Sequence, residues 1–306
     1  MVQAPKKCTA CGQPGRSVVW NDLEILRCSE CGLAWRAAFD IEADYYVGLH
    51  AGEEGVGEGK ATARLRNARD RLGMIKAFLP QEGVCDIGCG DGSFLEALKE
   101  QGYRKLWGIE PSDFARSIAR EKGFDVTHED VFGLLRLQQG RTLHALTLFH
   151  VIEHIANPRA LLELFKNALP RGGILVIETP DADAAVQKVT NHRNALVYRE
   201  HLFYWTKDSL SRILQQNGFR VVRVSHRSFD WKYASISSSL MRLGLMSDHS
   251  QAGQPADTVN TLQKVRSGGR KESGMNLIRS FIRTALASLV HLLKRDDYIL
   301  LVAERE

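Results

Sequence analysis

The feature that most constrains this chain is GVCDIGCGDGSFLEAL, residues 83–98, where an apolar run containing an acid breaks into glycines. Asp86 is followed by Gly88, Gly90 and Gly92 at alternate positions, directly before a helical pattern. Glycine accepts positive φ and lets a ligand lie against bare backbone. The amides of such a turn and of the helix after it form a site for an anionic or carboxylate group. The stretch therefore predicts a strand–turn–helix unit that binds a ligand.

After this turn, β-rich runs alternate with helical runs, which predicts a parallel sheet covered by helices on both faces. Ligands of such sheets bind beyond the carboxyl ends of the strands. Glu110 closes the next strand, in LWGIEP, and its carboxylate can accept hydrogen bonds from both hydroxyls of a ribose. Asp130 ends the third strand, in THEDVF, where it can accept from an adenine amino group. A dinucleotide fingerprint G-x-G-x-x-G is not met, because the third glycine comes one residue early.

Five segments together resemble the class I S-adenosylmethionine-dependent methyltransferases over about residues 80–226: VCDIGCGDGSFLEAL, GIEPS, HEDVF, FHVIEHIANP and GGILVIETP. The resemblance implies an α/β fold with a seven-stranded Rossmann-like sheet, helices on both faces and an antiparallel last strand. It implies S-adenosylmethionine as the cofactor. The cofactor contacts that it implies are Asp86, Gly88 and Gly90 at the methionine end, Glu110 at the ribose, and Asp130 with Val131 at the adenine.

Two cysteine pairs, Cys8-x-x-Cys11 and Cys28-x-x-Cys31, are separated by sixteen residues near the N-terminus. Four thiolates at this spacing suit tetrahedral zinc in a zinc ribbon. Since cysteine fills all four ligand positions, the predicted role of the Zn²⁺ is structural. A redox pair is the alternative.

The ribbon narrows the resemblance to two groups of methyltransferases. One comprises the sugar and secondary-metabolite enzymes found among polysaccharide biosynthesis proteins, to which ADYYVG at 43–48 and YREHLFYWTKDSL at 198–210 are similar. The other comprises the zinc-bearing large-subunit ribosomal RNA guanine methyltransferases. The predicted organisation is a zinc ribbon at 1–40, a helical lid or linker at 41–79, the S-adenosylmethionine-binding core at 80–228, an insertion with an amphipathic helix at 229–296, and the final core strand at 297–306.

Methyl transfer from a sulfonium is an in-line displacement that needs positioning, and a base where the nucleophile must lose a proton. His150, at the end of the fourth strand, is expected to face the sulfonium as both a cofactor contact and a candidate base; a pocket-wall or capping role is the alternative. His201, with Glu200 beside it and Tyr204 three residues on, lies in a segment predicted to cover the pocket. Histidine titrates near neutral pH and can take such a proton. A purely structural role is the alternative for His201.

The stretch His150-Val-Ile-Glu153-His154 matches the H-x-x-E-H pattern of the inverzincins. That chemistry needs both histidines on one face of a long helix. Here the first histidine ends a strand and Pro158 soon follows, so a metalloprotease is not expected.

Charge and hydropathy leave several partners open. A net charge of +5 permits an anionic partner without demanding one. No secretory h-region and no run of 18 apolar residues are visible, so the predicted location is cytoplasmic. Residues 276–295 are amphipathic with flanking basic residues, which fits packing on the sheet or at a dimer contact, or peripheral contact with the inner membrane surface. The oligomeric state stays open.

The function predicted from the sequence is methyl transfer to an oxygen or carbon of a small molecule, in particular a sugar, a lipid-linked glycan or a related metabolite. The alternative is an RNA methyltransferase whose ribbon and basic charge contact the phosphate backbone. Against RNA, the ribbon carries few Lys or Arg residues, and FHVIEH stands where N-P-P-Y is expected for base methylation. A cofactor-binding regulator without catalysis is the third class.

Overall fold

A computed structural model of the chain describes residues 4–39, 58–128, 131–134, 141–194, 196–227 and 297–306. Several sequence predictions lie outside these residues. They are Asp130, the segment 43–48, and the insertion with its amphipathic helix at 276–295.

The elements follow one another as a small β-rich module, then a core of alternating strands and helices. The strands are β1 (Gly15–Trp20), β2 (Leu23–Cys28), β3 (Ala34–Arg36), β4 (Glu82–Ile87), β5 (Arg104–Ile109), β6 (Asp125–Thr127), β7 (Ala145–Phe149), β8 (Ile174–Pro180), β9 (Phe203–Tyr204), β10 (Phe219–Arg227) and β11 (Tyr298–Arg305). The helices are α1 (Glu58–Ile75), α2 (Ser93–Glu100), α3 (Asp113–Glu121), α4 (Pro158–Ala168), α5 (Ala185–Val189) and α6 (Lys207–Gln216).

Seven strands form one mixed sheet in the order β10-β11-β8-β7-β4-β5-β6. Strands β4 to β8 pair in parallel, and β11 runs antiparallel to both β8 and β10. This confirms the predicted seven-stranded α/β fold with an antiparallel last strand. The strand order reverses between β4 and β7, and ligands of doubly wound sheets bind at such a switch point.

The sheet is buried between two hydrophobic clusters because successive residues of its strands face opposite sides. Along β11, Leu300 and Val302 join one cluster, and Leu301 and Ala303 join the other. The first cluster includes apolar residues of α1, α2 and α3, and the second includes those of α4 and α6. Helices therefore cover both faces, as predicted.

A second, four-stranded antiparallel sheet has the order β1-β2-β3-β9. Its last strand, Phe203–Tyr204, comes from the core sequence and pairs with Ala34 and Trp35. The sequence did not predict this pairing, because two residues are too few to show a strand pattern. The N-terminal module and the segment at 198–210 are thus joined through one sheet.

None of the helices in the described residues has the length and hydropathy required to cross a bilayer.

Candidate active site

The glycine turn follows β4 at the switch point of the sheet. Gly88, Gly90 and Gly92 have φ values of 70°, 55° and 74°, in the left-handed region that side chains other than glycine disfavour. A Cβ atom on Gly88 would lie 2.6 Å from Cγ2 of Val151, whereas one on Gly90 would meet nothing within 4 Å. The turn is therefore packed at its first glycine and faces open space at its second, where a ligand can lie against the backbone.

The carboxylate of Glu110 holds the glycine turn to the end of β5. Its Oε2 accepts a 2.8 Å hydrogen bond from the amide of Gly90, and its Oε1 accepts one of 2.8 Å from the amide of Ser112. Because each carboxylate oxygen has two acceptor sites, both can still accept from ligand hydroxyls. Glu110 thus shapes the turn, a role that its position in the sequence did not reveal.

Asp86 lies inside the sheet with 2% of its surface exposed. Its Oδ1 accepts a 2.6 Å hydrogen bond from Oγ1 of Thr147, its partner on β7. Burial raises the pKa of Asp86 to about 7, even though the Thr147 hydrogen bond acts in the opposite direction. The carboxyl group therefore binds a proton at a pH close to neutral, and a cationic ligand would stabilise its ionised form.

Of the remaining predicted cofactor contacts, Asp130 lies outside the described residues. Val131 is buried and begins a short 3-10 turn, Val131–Gly133. The structure adds an acid that the sequence analysis missed, Asp91, whose Oδ1 accepts from the amide and the hydroxyl of Ser93 at 3.1 and 2.6 Å. Asp91 fixes the first turn of α2, and its position two residues before Ser93 was the available signal.

His150 follows β7 with a φ of 60°, which is uncommon for a residue other than glycine. Its Nε2 lies 3.1 Å from Oε1 of Glu178, and its Nδ1 lies 3.5 Å from Oε1 of Glu153. Loss of solvent lowers the pKa of His150, but the contacts with Glu153 and Glu178 outweigh this and leave it raised. The ring therefore lies between two carboxylates at the carboxyl end of the sheet.

Glu178 is the centre of a buried charge network that the sequence analysis missed. The side chain is fully buried, and Arg71 donates to it at 2.6 Å and Arg227 at 3.0 Å. Burial alone would raise the pKa of Glu178, but Arg71, His150 and Arg227 hold it well below its usual range. The carboxylate thus connects α1, β8, β10 and the end of β7, which fixes the position of His150.

The other catalytic candidates lie on the side of the cysteine module. His201 is 1% exposed, its Nδ1 lies 3.1 Å from the carbonyl oxygen of Leu196, and burial lowers its pKa to about 4. The carbonyl of Glu200 lies 2.9 Å from Nδ1 of His154. Tyr204 is buried in β9, and its hydroxyl donates to the carbonyl of Tyr198 at 3.0 Å. The three residues are neighbours of one another, and their catalytic roles stay predictions.

The four paired cysteines of the N-terminal module converge on one point. Their Sγ atoms all lie within 4.8 Å of one another, with Cys8–Cys31 and Cys11–Cys28 each at 3.4 Å. Tetrahedral zinc with ordinary thiolate bonds separates its sulfurs by about 3.8 Å. Four thiols at these separations could hold one metal ion.

Comparison with known proteins places the core in a family. The model of the methyltransferase domain family matches residues 59–224. Among solved structures, a SAM-dependent methyltransferase from Archaeoglobus fulgidus aligns over 79% of this chain and 94% of its own, with 18% identity and a TM-score of 0.48.

Three curated relatives show what kinds of protein this chain is similar to. A tRNA U34 carboxymethyltransferase of Alteromonas mediterranea is 27% identical over 53% of this chain and 52% of its own length. A ubiquinone biosynthesis O-methyltransferase of Idiomarina loihiensis is 27% identical over 44% and 56%. The C-methyltransferase NovU of Streptomyces niveus is 24% identical over 66% and 47%.

The chain spans about half the length of the curated relatives that it matches. The family model covers more than half of this chain, and the matched region contains the glycine turn, Glu110 and His150. The chain therefore belongs to the methyltransferase domain family, and its seven-stranded core has the fold of the S-adenosylmethionine-dependent methyltransferases.

Proposed function

We propose that this protein transfers a methyl group from S-adenosylmethionine to an oxygen or carbon of a small molecule. The observation that carries the proposal is the glycine turn at the switch point, with Asp86 behind it and Glu110 bonded to it at 2.8 Å. Membership of the methyltransferase domain family supports the reaction type. When bound, the cofactor supplies an electrophilic methyl group on its sulfonium.

In this proposal the residues around the turn hold the cofactor. The cofactor lies against the backbone in the open space at Gly90. The carboxylate of Glu110 accepts hydrogen bonds from the ribose hydroxyls of the cofactor. Asp86 stabilises the methionine ammonium, and the apolar wall at Val131 meets the adenine. These roles need no side chain on Gly88 or Gly90, which agrees with the close approach of Val151 to the first glycine.

His150 is the proposed residue on the acceptor side. It follows β7 at the carboxyl end of the sheet, and Glu178 with its two arginines fixes its ring. A ring held in this way can orient the acceptor and exchange a proton with its reacting atom. We propose that the same side of the pocket is lined, next to β9, by Glu200, His201 and Tyr204.

We propose a structural Zn²⁺ at Cys8, Cys11, Cys28 and Cys31. The tight hairpins support it, since the amides of Gly12 and Gly32 donate to the carbonyls of Cys8 and Cys28 at 2.8 and 3.2 Å. The ion would stabilise a module whose strand β3 pairs with β9 beside His201.

The acceptor class that we favour is a sugar, a lipid-linked glycan or a related metabolite. Similarity to a C-methyltransferase and to a ubiquinone biosynthesis O-methyltransferase supports a small-molecule acceptor. Contact of residues 276–295 with an inner membrane surface would suit a lipid-linked glycan and stays a prediction.

The second candidate is methylation of RNA. Similarity to a tRNA U34 carboxymethyltransferase favours it, as does the net charge of +5.

The test of both candidate functions is a transfer screen with methyl-labelled S-adenosylmethionine against nucleotide sugars, glycolipid extracts, quinol precursors and total RNA. We expect label in one of the small-molecule fractions. Label in RNA alone would replace the first candidate by the second.

A further inference from the structure

A cluster of two histidines and one carboxylate lies beside the proposed acceptor site. Glu153, His154 and His201 each offer a ligand atom, and these three atoms lie within 4.8 Å of one another. Glu153 and His201 are each 1% exposed, and the rings of His154 and His201 are 4.9 Å apart. The cluster is made by two distant parts of the chain, the turn after β7 and the segment before β9.

The carboxylate of Glu153 is oriented by one oxygen and aims the other into the cluster. Oε2 accepts a 3.0 Å hydrogen bond from the hydroxyl of Thr179. Oε1 is buried and makes no hydrogen bond among the residues that the structure describes; Nδ1 of His150 lies 3.5 Å and Nε2 of His201 4.0 Å from it. A buried carboxylate oxygen left in this way calls for a cation or a donor.

Both histidines are held by one ring nitrogen in the manner of metal ligands. Nδ1 of His154 lies 2.9 Å from the carbonyl of Glu200, and Nδ1 of His201 lies 3.1 Å from the carbonyl of Leu196. Because a carbonyl oxygen only accepts, each Nδ1 carries a proton, which leaves Nε2 as the nitrogen with a lone pair in the neutral ring. Histidines that bind metals are oriented by this same bond from the second nitrogen.

We propose that Glu153, His154 and His201 bind one divalent transition-metal ion, separate from the ion of the four cysteines. Imidazole with carboxylate suits zinc, iron or cobalt better than magnesium or calcium. Ordinary bonds to such an ion place its ligands about 3.0 to 3.4 Å apart, so the cluster must close by about 1 Å. The H-x-x-E-H stretch thus supplies two ligands from a short turn, and the third comes from His201 instead of a long helix.

Three protein ligands leave coordination positions open, as in metal sites that bind substrate. An acceptor hydroxyl on such an ion would lose its proton more easily, because the ion stabilises the alkoxide. This second step rests on the proposed function, whereas the existence of the site does not. Glu153 lies 3.5 Å from His150, which puts the ion on the proposed acceptor side.

The test is a Co²⁺ titration of the full chain after removal of bound metal. We expect two Co²⁺ ions per chain, of which one gives thiolate-to-cobalt charge-transfer absorption and the other does not. Glu153→Gln, which keeps the shape of the side chain, and His201→Gln should each lose the ion without the thiolate band. Cys28→Ser should lose the other ion, and His144→Gln, at the opposite end of β7, should keep both.

Circular dichroism shows which variants fold. If His201→Gln does not fold, the metal count of the isosteric Glu153→Gln variant decides the test. Saturation at one Co²⁺ per chain in the unmodified protein would overturn the proposal, as would two ions retained by a folded Glu153→Gln variant. The metal count uses neither cofactor nor acceptor. A protein that binds two ions but transfers no methyl group would therefore refute the proposed function and leave the site standing.

Discussion

The hydroxyl of Thr147 donates a 2.6 Å hydrogen bond to Oδ1 of Asp86, which lies directly opposite it in the pairing of β7 with β4. A buried hydroxyl and a buried carboxyl group meet at the point where the strand order reverses. The carboxyl has a pKa of about 7 because burial disfavours its charged form. Before any cofactor binds, the carboxyl group of Asp86 thus changes its charge close to neutral pH.

We expect the affinity for S-adenosylmethionine to fall as the pH drops below about 7. A ligand ammonium favours the ionised carboxylate, so below the raised pKa of Asp86 binding must first remove a proton. This costs up to about 1.4 kcal/mol, or tenfold in affinity, per pH unit. Isothermal titration calorimetry between pH 5.5 and 7.5 measures the slope. In Asp86→Asn the slope should vanish, and an equal slope in both proteins would assign it to another group.

Glu110→Ala should weaken cofactor binding at least tenfold, because its carboxylate is the proposed acceptor for the ribose hydroxyls and also holds the glycine turn through the amide of Gly90. A lost hydrogen bond to a charged group is worth about 1.5 to 3 kcal/mol. Titration of the variant with S-adenosylhomocysteine measures the change. The matched control is Glu121→Ala, which removes an exposed carboxylate at the end of α3. Similar affinities in both variants would contradict the role of Glu110.

Glu178→Ala should lower the free energy of unfolding by about 3 to 5 kcal/mol, since it leaves the buried Arg227 and the partly buried Arg71 without their shared carboxylate. Urea denaturation followed by circular dichroism measures the loss. Arg220→Ala breaks an exposed pair with Glu304 and should cost no more than about 1 kcal/mol. Equal losses in the two variants would show that the buried network is not stabilising.

Cys28→Ser should remove the proposed Zn²⁺ of the four cysteines and loosen β9, the strand that joins their module to the core. Thr206 donates to the carbonyl of Cys31 at 2.8 Å, so loss of the cluster should reach β9. Plasma mass spectrometry gives the metal content, and hydrogen exchange of Phe203 and Tyr204 reports the loosening. Cys85→Ala, in β4, should keep the metal. Full zinc content in a folded Cys28→Ser variant would contradict the ribbon.

The parts of the site that could be predicted are those written in short stretches of sequence. Gly88, Gly90 and Glu110 lie at strand ends that periodicity and glycine spacing reveal, and the cysteine pairs carry their ligand spacing with them. Alternation of strands and helices likewise predicts a parallel sheet covered on both faces, whereas the seven-stranded sheet with an antiparallel last strand was implied by the resemblance to a known family.

The parts that could not be predicted depend on contacts between distant residues. Arg71 and Glu178 are 107 positions apart, and nothing in either local sequence indicates their pairing. The two-residue strand β9 likewise forms by pairing with β3 of the N-terminal module, and His201 approaches Glu153 from a distant part of the sequence. The sequence predicts that the H-x-x-E-H stretch does not lie in a long helix, and the structure confirms this. Its third partner, His201, could be found only in three dimensions.

Calorimetric titration of the pure, folded chain with S-adenosylmethionine is the most direct test of the cofactor site. We expect one cofactor per chain, with weaker binding in Asp86→Ala and in Glu110→Ala. Absence of binding by both S-adenosylmethionine and S-adenosylhomocysteine in the unmodified protein would contradict the assignment of the glycine turn.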